Sequence, residues 1–286
     1  MTTTPRTRAL LGVVTALIVA FLLAPIALIV LYAFNPSNVQ SWPLEGLSTR
    51  WFSQTWHNEA MRQALWLSVR AALLSTAIAM LLGSAAAFAV HRFRFFGREA
   101  VSFVLLLPIA LPGIITGMAL NSFFAFGGVQ FSLVTIVVGH ATFCIVTVYN
   151  NLLARLRRTQ PSLVEASMDL GADGWQTFRH VTLPVVATAL VAGGLLAFAL
   201  SFDEVIVTTF TAGAQNTLPL WIFGNIRQGQ NLPQVNVVVL LVIVLTFVPV
   251  MLAQRLTRDT GVLRGTGGTA DGVAPAAGEA VGAGGH

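Results

Sequence analysis

The chain has 286 residues, 55% of them hydrophobic and only 9% charged, with a mean hydropathy of +0.77. A soluble domain carries about 25% charged residues, so this composition excludes an ordinary globular protein and points to a lipid-solvated fold. The formal charge of +5 comes from arginines scattered at segment ends, with no lysine anywhere, which leaves no basic stripe for nucleic acid and no G-x-x-x-x-G-K-[ST] phosphate loop for ATP.

Six segments are long enough to cross a hydrocarbon core of about 30 Å, which takes about 20 helical residues. They are Leu10 to Phe34, Ala64 to Val90, Val101 to Phe126, Phe131 to Leu153, Val185 to Ala212 and Val235 to Ala253. The charge-free part of the first exceeds the 7–15 residues of a secretory h-region, so it reads as a retained helix preceded by a short N-terminus, residues 1–9. Between the first two spans, Asn35 to Gln63 holds Trp42, Trp51 and Trp56, which suits an interfacial aromatic layer or a short helix lying on the membrane. Pro108, Pro112, Gly113 and Gly117 should kink the third span. In the fourth, His140 has no acidic neighbour on its own helix and reads as a hydrogen-bonded packing histidine, while Cys144 reads as a small buried side chain. Residues 261–286 are dominated by Gly and Ala and lack the bulk to fold, so a disordered tail is expected after a membrane domain spanning 10–260.

Arginine placement sets the orientation. Arg6 and Arg8, then Arg92, Arg94 and Arg98, then Arg155, Arg157, Arg158 and Arg179, then Arg255, Arg258 and Arg264 all fall on one side. Against them stand Arg50, Arg62 and Arg227, with Arg70 inside the second span. Both termini, and the loop 154–184, are therefore expected in the cytoplasm.

That loop contains EASMDLGADGWQTFRHVTLP, Glu165 to Pro184, the most polar stretch of any size. Ser162 with Glu165 three residues on is a capping-box pattern, so a short helix is expected to start there. Ala166 and Ser167 are small enough to let a partner backbone approach. Gly171 should end that helix, and Gly174 should keep the turn loose. Asp173 with Gln176 is a second box, opening a helix that carries Trp175 and Phe178, and Pro184 marks the start of the next span. A short amphipathic helix resting on lipid is the bland reading of such a loop.

The full spacing, Glu165-Ala166-Ser167, Gly171, Val181-x-Leu183-Pro184, resembles the EAA loop of ATP-binding-cassette (ABC) importer permeases, E-A-A-x3-G-x9-I-x-L-P. Ser167 replaces the second Ala and Val181 the Ile, both close in size. The resemblance implies an all-α, polytopic type I ABC importer permease with six transmembrane helices. It implies that Glu165, Ala166, Ser167, Gly171, Leu183 and Pro184 belong to a coupling helix docking on a separate cytoplasmic ATPase, to which the loop's own pattern adds Trp175 and Phe178 as side chains on offer. The implied partners are that ATPase dimer, a second permease subunit and an extracytoplasmic solute-binding protein. No cofactor or metal is expected in this chain; ATP and Mg belong to the ATPase.

Further stretches resemble permeases of spermidine/putrescine importers, most closely their second permease subunit: Leu107 to Gly113, Leu200 to Thr208 and Asn216 to Arg227. Importers of ferric iron, aminoethylphosphonate or opines share much of this pattern, so a polyamine is the implied solute and these are the alternatives. The residues add one argument of their own. Asp203 and Glu204 are the only acidic residues inside an expected span, and a carboxylate at a bilayer centre costs about 2.5–3.5 kcal/mol unless it faces protein or water. One of the pair could meet a cationic solute through charge-assisted hydrogen bonds; an interhelical ion pair or a hydrated helix end is the other reading. Trp221 and Phe223 could offer cation–π contacts near the outer mouth, or simply anchor the interface.

Two other classes fare worse. Adjacent carboxylates on one helix cannot flank a common bond, so an intramembrane acid–base enzyme is not expected. An ion-coupled carrier would show two repeated halves, and no second copy of the acidic segment exists.

Overall fold

The computed structural model describes residues 5–245. Every element in the first compact unit, which runs to Val237, is helical: α1 (Pro5–Ala33), α2 (Arg50–His57), α3 (Glu59–Arg92), α4 (Arg98–Ala110), α5 (Gly113–Phe126), α6 (Leu133–Arg158), α7 (Ser162–Asp169), α8 (Gly174–Thr177), a π-helical segment Phe178–Thr182, α9 (Leu183–Phe202), α10 (Ile206–Thr211) and α11 (Leu218–Gln228). A further helix, α12, covers Leu232–Leu245, and residues from Val238 onward belong to a second unit. The remainder of the expected sixth span and the expected tail 261–286 lie outside the described residues.

The ends of the long helices are written in their sequence. Asn58 caps α3 by accepting from Met61 N–H at 3.1 Å, Glu59 sits in its first turn, and His91 and Arg92 sit in its last. Ser132 opens α6 with its hydroxyl oxygen accepting from Val134 N–H, while Thr135 Oγ1 accepts from Ser132 N–H at 2.8 Å. Arg155, Arg157 and Arg158 close α6 where the helix dipole favours positive charge.

Helices α3, α6 and α9 pack together as the core. Small residues bring the backbones close: a Cβ on Gly83 would meet the Ile145 carbonyl oxygen at 2.7 Å, and one on Gly194 would meet Met80 Sδ at 3.0 Å. Close approach through small residues is how helices associate where lipid removes the hydrophobic drive between them. Ala79, Cys144, Val148 and Ala197 form one buried cluster, and Ala87, Tyr149, Leu152, Leu156 and Val186 belong to another. Cys144 is buried as expected, its thiol donating to the Ala197 carbonyl at 3.3 Å.

Helices of 28, 34, 26 and 29 residues, at Arg6–Ala33, Glu59–Arg92, Leu133–Arg158 and Gly174–Phe202, are long and apolar enough to span a membrane. Three expectations need correction. The third span is no single kinked helix: α4 and α5 meet at 104°. Pro112 forces the preceding Leu111 into extended geometry (φ −82°, ψ 142°), so α4 stops and α5 restarts on a new axis. The fifth span ends at Phe202 rather than Ala212, and α10 restarts at Ile206 after a break. At its other end, the Trp175 helix is not separate from this span, since Gly174 to Phe202 runs as one helix. Pro184, lacking an N–H, is accommodated there by the π segment, in which Leu183 N–H reaches back five residues to the Phe178 carbonyl.

In the loop after α1 the short helix of the expected pair of alternatives forms as α2 and carries Trp51 and Trp56, and Trp51 turns inward. It is buried, with Nε1 donating to the Asn35 carbonyl at 2.7 Å, whereas Trp42 and Trp56 are exposed.

Candidate functional site

Two features stand at opposite ends of the α6/α9 pair. At the Arg158 end lies the polar element. Its helix α7 does begin at Ser162, but the expected Ser162–Glu165 box is absent: Pro161 occupies the cap position in helical geometry and no side chain caps the helix. Proline at the edge of the first turn supplies the preset φ instead, and its carbonyl accepts from Val164 and Glu165 N–H. Glu165 is thereby released, exposed, from any capping duty.

Gly171 ends α7 as expected, at φ +87°. Its N–H donates to the Met168 carbonyl at 2.9 Å and Ala172 N–H to the Ser167 carbonyl at 3.1 Å, a left-handed closing turn. The second box forms in full: Asp173 Oδ1 accepts from Gln176 N–H at 2.8 Å, and Gln176 Oε1 from Asp173 N–H at 3.0 Å. A Ser167–Thr177 hydroxyl contact of 3.1 Å ties α7 to α8. Ser167, where the family pattern has Ala, therefore adds a tether.

Trp175 stacks on Phe178 at 5.7 Å between ring centroids, and Phe178 meets Phe88 of α3 edge-on at 5.5 Å. The π segment is thus pinned to the core while Trp175 stays 66% exposed. Leu163, Met168 and Leu170 are exposed beside it, the last at 89%. These three were missed in the sequence, although apolar side chains inside its most polar loop were the available signal. A cavity of about 500 Å³ opens behind the element, lined among others by Phe88, Arg92, Leu156, Glu165, Phe178 and Thr182. Ala166, Leu183 and Pro184 are exposed along the same stretch.

At the other end of α9 lies the break. Asp203 caps α9, its N–H donating to the Ala199 carbonyl at 3.1 Å, and its carboxylate is exposed. Glu204 points elsewhere: its Oε1 accepts from Val207 N–H at 2.9 Å and starts α10. The adjacent acids therefore divide their roles, with Glu204 engaged structurally and Asp203 presented. His140, seven residues or about 10 Å into α6, is buried and hydrogen-bonded through both nitrogens, to Ser201 and Thr208 at 2.8 Å each. The break lies at that depth. A packing histidine was expected; its two partners were not foreseen.

Trp221 and Phe223 stand two residues apart on α11, with Trp221 buried and Phe223 exposed. Among the described residues no group of three or more His, Cys, Asp or Glu side chains could hold a metal ion.

Comparison with known proteins accords with this arrangement. Residues 79–261 match the family described as binding-protein-dependent transport system inner membrane component. The chain is 37% identical over 232 residues to the putrescine transport system permease protein PotI of Escherichia coli K12, covering 78% of this chain and 82% of that one. It is 34% identical over 250 residues to the spermidine/putrescine transport system permease protein PotC of the same organism, covering 87% and 93%. A putative 2-aminoethylphosphonate permease, PhnV of Salmonella paratyphi A, is 26% identical over 265 residues, covering 90% and 97%. The fold matches a chain in the crystal structure of a bacterial ABC transporter that imports the acidic polysaccharide alginate, with a TM-score of 0.63, 16% identity, and coverage of 91% and 99%. Matched over most of its length in sequence and fold, and carrying the polar loop on a multi-pass helical body, the chain belongs to the inner-membrane permease family of ABC importers.

Proposed function

We propose that this permease forms part of the path for a polyamine such as putrescine or spermidine, in a six-span arrangement with both termini in the cytoplasm. The observation that carries the cargo reading is the exposed Asp203 carboxylate at the broken end of a membrane helix. A carboxylate exposed at the end of a membrane helix is stabilised by water or a cation, and an alkylammonium donates charge-assisted hydrogen bonds to it. The end of α9 adds the negative pole of its dipole. The names of the relatives at 34–37% identity support the same solute class.

Coupling follows from the other end. The exposed strip Leu163, Met168, Leu170 and Trp175, with Glu165 beside it, docks on a cytoplasmic ATPase dimer. ATP-driven closure of that dimer swings this permease and a second permease subunit between inward- and outward-facing states. A solute-binding protein delivers the cargo outside. This chain transmits motion and walls the path; ATP and Mg act on the partner.

The test is uptake by the assembled transporter in proteoliposomes, offered labelled putrescine, 2-aminoethylphosphonate or ferric iron. Putrescine uptake should saturate and be competed by spermidine, and Asp203→Asn should raise its KM about tenfold, the size expected for losing a charged hydrogen bond. Uptake of the phosphonate or of iron with none of putrescine would overturn the assignment.

A further inference from the structure

The break in the fifth span is bridged. His140 Nδ1 lies 2.8 Å from Ser201 Oγ, in the last turn of α9, and Nε2 lies 2.8 Å from Thr208 Oγ1, in α10. The direction of each bond can be worked out. Thr208 has one hydroxyl proton and donates it to the Glu204 carbonyl at 2.7 Å. A carbonyl only accepts, so toward the ring Thr208 Oγ1 must be the acceptor, and Nε2 carries the imidazole proton. In a neutral ring Nδ1 then accepts from the Ser201 hydroxyl. The chain of donors runs one way, from Ser201 through His140 and Thr208 to the backbone carbonyl of Glu204.

Packing leaves little play around it. A Cβ on Gly139, the residue before His140, would meet Val207 Cγ1 at 3.2 Å and Thr211 Cγ2 at 3.3 Å, so α10 lies hard against α6. Thr135 Oγ1 shares its one hydroxyl proton between the Thr211 carbonyl at 2.7 Å and the Ser132 carbonyl at 2.8 Å, and Asn121 Nδ2 from α5 donates to the Phe210 carbonyl at 2.7 Å. These bonds hold α10. Ser201 is where His140 holds α9.

We infer that His140 is a positioning residue that sets the gap between the two halves of the broken span and thereby fixes where the Asp203 carboxylate stands. The consequence for cargo rests on the function proposed above; the bridge itself does not. A histidine that merely filled space could be exchanged for an apolar side chain without moving cargo affinity. One that sets the gap could not.

The experiment uses the assembled transporter in proteoliposomes with putrescine as cargo. His140→Leu should raise KM about tenfold, as expected for the buried Ser201 hydroxyl left without a partner, with kcat much less affected. Thr208→Val should act in the same direction, and combining it with His140→Leu should cost no more than His140→Leu alone, because both remove one connected unit. His140→Gln, which keeps an N–H within reach of Thr208, should recover part of the loss. A readout without cargo uses Val205→Cys with the native thiol removed by Cys144→Ala: its labelling rate by N-ethylmaleimide should rise severalfold when His140→Leu is added. Unchanged KM together with unchanged labelling would overturn the inference, as would additive losses in the double variant. Faster labelling on His140→Leu, with KM indifferent to Asp203→Asn, would keep the bridge and sink the cargo role of Asp203. Should His140→Leu fail to insert, Ser201→Ala and Thr208→Val each remove one bond and decide the matter by the same two readouts.

Discussion

Gly171 and Glu165 are demanded for two different reasons. Gly171 stands at φ +87° with nothing within 4 Å of where a Cβ would point, so space is not its constraint; backbone geometry is. A non-glycine residue in the left-handed region costs about 1–2 kcal/mol, enough to reopen the turn between α7 and α8 while leaving the membrane helices alone. Gly171→Val should therefore abolish uptake with normal insertion, scored by membrane-fraction immunoblotting beside transport. Glu165 bears no capping bond, so Glu165→Arg should spare the fold and still stop transport; normal uptake in either variant would refute the coupling role. Legibility in the sequence follows the same division. The Gly171 turn and the Asp173–Gln176 box are local devices and could be read directly. The Ser162–Glu165 box was misread because Pro161 supplies helix geometry at the cap and leaves the hydroxyl without that task. The partners of His140, 61 and 68 residues away, have no local signature at all.

Among the elements, α3 and α6 are held at a separation that glycine sets. At Gly83 a Cβ would come within 2.7 Å of the Ile145 carbonyl oxygen and 3.1 Å of Val148 Cβ, and backbone atoms cannot turn aside. Gly83→Leu should force the two helices apart and lower the thermal unfolding midpoint of the detergent-solubilised chain by several degrees or prevent its accumulation, the size of effect overpacking of about 1–3 kcal/mol produces. An unchanged midpoint would show that the helices can slide past the added volume. Apolar runs revealed α1, α3 and α6 because length and hydropathy suffice for helices that keep one axis. They failed for the third and fifth spans, where the break in the helix is decided by the residue before a proline and by the Glu204 carboxylate capturing Val207 N–H. Hydropathy does not register either event.

Across the whole molecule, the chain lacks the lysine of a phosphate loop yet carries an exposed apolar strip around Trp175. It also leaves α1 unburied by its own fold. An apolar helix of that length is solvated by lipid, and the strip around Trp175 is the surface that the proposed ATPase docking would cover. Purified alone, the chain should show no ATP hydrolysis, and activity should appear only when the ATPase subunit is added, as measured by phosphate release. Hydrolysis by the isolated chain would contradict the division of labour.

The unbroken run from Gly174 to Phe202 has a mechanical consequence. Its 29 residues extend for about 43 Å, and a helix resists stretching far more than a loop does. Trp175 near one end and Asp203 just beyond the other are thus mounted on the same rod. Under the coupling proposed above, a thrust at the tryptophan would reach the carboxylate without a relay of rotamers in between. The π turn at Phe178–Thr182, pinned by Phe88, sits beside the tryptophan, so the contact that anchors the rod lies next to the surface proposed to receive the push.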